Sequence, residues 1–105
     1  MTDLSGTAFG PINDTTKARL MARLRQELHA QHALWPMRDG LEILGAGQSS
    51  PDDLLLVTGD AAHPFAAVHL TWALPGLFRA KDPSEPYTTL YPDWASVLAD
   101  CVEVD

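Results

Sequence analysis

A change of hydrophobic period at Pro36 constrains this chain more than any other feature. Before it, Leu20, Leu24 and Leu28 recur every four residues with Met21 beside them, which is one apolar stripe on a helix. Asn13 or Asp14 can cap that helix, its first turn begins near Thr15, and the pattern predicts a length of roughly 18–20 residues. Arg19, Arg23, Gln26 and Glu27 occupy its wet side. Pro36 stops it, because the residue before a proline, here Trp35, is pushed towards extended conformations.

After Gly40 the apolar residues come in short runs. Leu41 to Leu44 reads as a strand, ended by Gly45-Ala46-Gly47 and a polar Gln48-Ser49-Ser50-Pro51 loop. Leu54 to Thr58 is a second strand, with a turn at Gly59-Asp60. Phe65 to Trp72 is a third, whose alternation puts Val68, Leu70 and Trp72 on one face and Ala67, His69 and Thr71 on the other. Residues 73–86 read as a loop, and Tyr87 to Tyr91 as a fourth, edge strand. Pro92 suits the first position of a terminal helix, on which Trp94, Val97, Leu98 and Cys101 share one face. Residues 1–13 lack periodicity and read as a mobile lead-in, leaving 14–105 as a single domain. This order predicts an α+β fold: an N-terminal helix, a three- to four-stranded mainly antiparallel sheet and a short C-terminal helix. Leu, Ile, Val and Phe make up 25 of the 105 residues, above the roughly 20% level below which chains stay disordered. The length excludes large enzyme scaffolds such as a (β/α)₈ barrel, which needs about 250 residues.

Charge narrows the partners. The net charge is −7, and it is unevenly spread. Residues 1–38 hold five basic groups against three acidic ones; residues 39–105 hold two, Arg79 and Lys81, against eleven. An acidic chain has little with which to neutralise phosphates, so nucleic acid is not the expected ligand. Such a surface suits solubility, or a protein partner with a basic surface. Cys101 is the single cysteine, which excludes an intrachain disulfide and fits a reducing compartment. The N-terminus lacks the basic and apolar regions of a secretory signal. The longest uncharged run, Ala61 to Phe78, is 18 residues long but is broken by Pro64, Pro75 and Gly76. A cytoplasmic protein without membrane contact, monomeric or homodimeric, is the expectation.

Chemistry-bearing motifs are sparse. Gly45-Ala46-Gly47-Gln48 follows a strand as a phosphate-cradling loop would, but Pro51-Asp52-Asp53 leads into another strand rather than a helix, so a hairpin loop is the simpler reading. His29 and His32, three apart on one helical face, have a spacing that permits shared metal coordination; neither an HExxH motif nor a cysteine pair accompanies them, and His63, His69 and Cys101 lack ligand spacing. Surface or helix-end histidines are the simpler reading, and no metal or cofactor is expected. Cys101 falls on a buried helix face, where a thiol acts as a small hydrophobe, and no serine has a glycine elbow. His69 and Thr71, two apart on a strand, project together beside aromatic side chains, as ligand-orienting groups do. A candidate site therefore comprises His69, Thr71 and Trp72, walled by Trp35 or Tyr91, with Asp93 or Asp60 to orient the imidazole. The competing reading is a half-buried strand whose polar groups are satisfied locally.

Ala67-Val68-His69-Leu70-Thr71-Trp72, followed by Pro86-Tyr87-Thr88-Thr89-Leu90-Tyr91 and a helix opening at Trp94, resembles a group of small bacterial proteins with an AVVHLTW-like strand. His32-Ala33-Leu34 and Asp52-Asp53-Leu54-Leu55 stand where similar proteins have a His-x-Leu and an Asp-Asp-Val-Leu. The likeness spans roughly residues 28–98, about one domain. The group has no assigned activity, so the resemblance implies no catalytic residue; the segment from Leu74 to Lys81 is more apolar than its counterpart. Two classes of function remain in view: a non-enzymatic interaction module, such as an immunity- or antitoxin-like accessory protein, and a small-molecule or enzymatic site at His69, Thr71 and Trp72. Nucleic-acid binding through the basic first helix is the weakest, since Lys17, Arg19, Arg23 and Arg25 point several ways.

Overall fold

The computed structural model describes residues 4, 6–30, 32–48, 52–70 and 87–101. Its elements are strand β1 (Phe9–Gly10), helix α1 (Asp14–Glu27), a 3₁₀ turn (Trp35–Met37), strands β2 (Glu42–Gly47), β3 (Asp53–Val57), β4 (Phe65–His69) and β5 (Tyr87–Tyr91), and helix α2 (Trp94–Asp100). The fold is α+β. The five strands pair in chain order, each antiparallel to the next, so the sheet is a meander into which α1 is inserted after β1.

α1 begins where the cap was expected: Asn13 is extended, and its side chain accepts from the Thr16 amide at 2.7 Å. It ends earlier than the apolar stripe suggests. Leu28 is already extended, with its amide donating to the Leu24 carbonyl, so the helix has 14 residues rather than 18–20. Leu28 still reaches the core, because the chain turns there without leaving the sheet.

Alternation divides the sheet into two covered faces. Ile43, Ala46, Leu54, Leu56, Val68 and Leu70 join Leu20, Leu24 and Leu28 in one buried cluster beneath α1. Packing of the helix on the face bearing Val68 and Leu70 follows the sequence expectation; Trp72, expected with them, lies outside the described residues. On the opposite face Phe9, Leu55 and Tyr91 bury Val97 of α2, with Phe65 and Trp94 partly buried beside them. Leu54, Leu55 and Leu56 are all completely buried, as a continuous apolar strand is when both faces are covered.

Four details depart from the sequence reading. Phe9 and Gly10, assigned to the lead-in, pair with Gly47 and Ala46 as a fifth strand, and Phe9 is buried. Gly45-Ala46-Gly47 belongs to β2 instead of ending it, because a bulge lets Leu44 and Gly45 together oppose Leu55. The sheet thus has five strands where three to four were expected. Pro92 precedes the cap of α2 rather than opening it: Asp93 is the N-cap, accepting from the Ser96 amide and hydroxyl, both at 2.8 Å. Leu98, placed on the inner face with Trp94 and Val97, is 37% exposed.

Candidate functional site

His69 ends β4, and cross-strand register sets its neighbours. Asp53 of β3 and Tyr87 of β5 stand on either side of it, on the face that carries α2. Asp53 Oδ1 accepts from His69 Nδ1 at 2.5 Å, so the neutral form of the ring presents Nε2 as its acceptor. Both side chains are about half exposed, at 51% and 42%, and Tyr87 is 53% exposed. The orienting carboxylate is therefore Asp53. Asp93 caps α2 and Asp60 holds the β3–β4 turn through the His63 amide. A carboxylate–imidazole pair of this geometry can accept a proton at Nε2, but here it lies on an open surface.

The expected walls do not surround it. Tyr91 shares the face with His69 but stands four residues along the antiparallel pairing, roughly 13 Å at strand spacing. Its hydroxyl is committed elsewhere, donating to Asp100 Oδ2 at 2.5 Å and lying 3.3 Å from Cys101 Sγ. Burial, reinforced by the Asp100 hydrogen bond, pushes the Tyr91 phenol far above its ordinary value. Burial also holds the Cys101 thiol above its ordinary value, although the Tyr91 hydrogen bond works the other way. Trp35 packs against the α1 cluster, on the other side of the sheet, beneath the Arg38 guanidinium at 4.2 Å. It cannot wall a site at His69. Thr71 and Trp72 lie outside the described residues.

The other histidines also differ from expectation. α1 ends at Glu27, so His29 and His32 do not share a helical face. Their rings meet edge to face at 5.8 Å, and His32 is buried rather than superficial. Its Nδ1 accepts from the Leu34 amide at 3.0 Å, so Nε2 carries the proton and donates to Thr88 Oγ1 at 3.1 Å. This residue ties the segment after α1 to β5. Among the described residues no cluster of three or more His, Cys, Asp and Glu is arranged to hold a metal ion.

Sequence reasoning missed Asp53, Tyr87 and the buried role of His32. Asp53 and His69 are 16 residues apart, and only the register of the β3–β4 hairpin brings them together. That register depends on a seven-residue turn held by Thr58, which accepts from the Asp60 amide and donates to the His63 carbonyl. A cavity of about 330 Å³ opens on the opposite face of the sheet, under the first turns of α1, and does not include His69. No family model, curated protein or solved structure matches this chain.

Proposed function

We propose that this is a small cytoplasmic protein-interaction module, of the immunity- or antitoxin-like accessory kind, whose α2-bearing side receives a partner with a basic surface. The observation that carries this reading is the one-sided placement of the Lys and Arg residues. All five described Lys and Arg residues (Lys17, Arg19, Arg23, Arg25 and Arg38) lie on α1 or beside the 3₁₀ turn, the layer covering the other face. Asp53, Asp93 and Asp100 lie on the α2 side, where no described residue is Lys or Arg and the one described histidine on the strand, His69, is paired with Asp53. The two large hydrophobic side chains that are exposed among the described residues, Tyr87 and Leu98, are on that same side. Exposed apolar groups rimmed by one sign of charge are what a complementary protein surface recognises. The single cysteine supports the compartment, and no described helix is long and apolar enough to cross a membrane.

Crosslinking in the source cell followed by mass spectrometry tests the reading. Wild type and an Arg25→Glu variant should capture the same basic protein, whereas Asp53→Lys/Leu98→Ser should lose it. Capture that survives the double substitution, or that fails only with Arg25→Glu, would overturn it.

The Asp53–His69 pair favours a second reading, a small-molecule or enzymatic site centred on His69, Thr71 and Trp72. Histidine NMR titration during ligand screening separates the two. A His69 ring that neither titrates nor shifts with any ligand removes the second.

A further inference from the structure

The basic surface that would complement the α2 side exists within the chain itself. Beyond the first two residues of α1, its exposed positions are Ala18, Arg19, Ala22, Arg25 and Gln26. At 3.6 residues per turn Ala18 and Ala22 lie along the outward line of the helix, with Arg25 on one side of it and Arg19 on the other. Neither guanidinium makes a hydrogen bond or ion pair with any described residue, whereas Arg23 is held by Glu27 at 2.9 Å. The outer face of α1 therefore carries two uncompensated cations over short side chains, which let another surface come close.

The other end of the molecule has the opposite character. Residues 39–105 hold eleven acidic groups against two basic ones. Ala95, Leu98 and Ala99 of α2 are exposed, and so are Asp93 and Asp100 at its two ends. Asp93 accepts from the Ser96 amide and hydroxyl, and Asp100 from the Tyr91 hydroxyl. These donors are neutral, so the bonds leave both carboxylates with their charge.

From this complementarity we infer that α1 of one copy docks on the α2 side of a second copy, with Arg19 and Arg25 against Asp93 and Asp100 and with Ala18 and Ala22 over Leu98. The inference rests on the α2 side being a receptor for a basic surface, and names that surface. The contact is head to tail, because a two-fold contact would set arginines against arginines or carboxylates against carboxylates. The net charge of −7 makes two copies repel at long range, but at about 0.15 M salt that repulsion is screened beyond about 8 Å. A contact between two short helices belongs with the weak interfaces, below about 1,200 Å².

Sedimentation equilibrium of the purified full chain tests this, from about 10 µM to about 1 mM, the range in which weak interfaces form. The wild-type average mass should rise with concentration and pass that of a dimer, because a head-to-tail pair keeps one free face at each end. Arg19→Glu/Arg25→Glu removes the α1 half of the contact and Ala95→Lys/Ala99→Lys the α2 half. All four positions are exposed, so both variants should keep the wild-type melting temperature, which a parallel thermal scan checks. Each variant alone should stay monomeric, and their equimolar mixture should form a one-to-one dimer and nothing larger. A variant that associates alone as wild type does, or a mixture that stays monomeric, would overturn the inference. A wild type monomeric at about 1 mM would overturn it as well; the receptor reading of the α2 side stands or falls separately, on crosslinking to a different protein.

Discussion

At the scale of single residues, Gly45 and His32 show how little room the interior leaves. A Cβ on Gly45 would lie 2.5 Å from the Gly10 carbonyl oxygen and 2.8 Å from Leu4 Cδ1. The first of these is backbone and cannot step aside. Gly45→Ala should therefore separate β1 from the β2 bulge and cost about 1–3 kcal/mol, the range for overpacking a close-packed site. Urea denaturation measures this, and an unchanged midpoint would contradict the close approach. His32 makes a different demand. Because Leu34 donates to its Nδ1 and its Nε2 donates to Thr88, only the Nε2–H form satisfies both contacts. Nitrogen-15 shifts of the ring at neutral pH should report that tautomer. Thr88→Val should cost about 1–3 kcal/mol by stranding a buried donor. The opposite tautomer, or a Thr88→Val variant as stable as wild type, would count against the link.

At the scale of elements, both helices rely on an Asx cap, and the cap of α2 titrates. The Ser96 hydroxyl, and after it the Ser96 amide, hold the Asp93 carboxyl below its ordinary value of 3.8. A carboxyl depressed in the folded state contributes stability above its unfolded value, and that contribution is lost as the pH falls through the folded one. The Ser96 amide signal should therefore be steady through neutral and mildly acid solution and move only below about pH 4. Movement that begins near pH 6 would show that another group controls the cap. α1, capped by the uncharged Asn13, should keep its first turn across the same range.

At the scale of the whole molecule, the sheet insulates one layer from the other. Leu24 of α1 is wholly buried against one face of the sheet, and Val97 of α2 is wholly buried against the other. Leu24→Ala should cost about 2–5 kcal/mol, and Val97→Ala about 1.5–3 kcal/mol. With no shared partners, the double variant should cost their sum within about 0.5 kcal/mol. A coupling above 1 kcal/mol, on the order of that seen between contacting residues, would mean that β3 transmits strain between the faces.

The α+β class, the apolar face of α1 and β5 were legible because each rests on local chemistry. A four-residue leucine stripe, an Asx cap or a run of alternating side chains is stabilised within a few residues of itself. What tertiary structure decided lies where distant segments meet. Nothing in Phe9-Gly10 marks a strand; two residues acquire that form only because the β2 bulge leaves an edge for them to pair with. Asp53 meets His69, and Trp35 is carried to the opposite face, because hairpin register and the turn after α1 are fixed by the packing of the whole sheet. The same holds for Arg19 and Asp52, which share a cavity although 33 residues separate them in the chain. Sequence alone set the leucine stripe that α1 must bury; the pairing of strands set the burial of Phe9 and which polar groups were left facing one another.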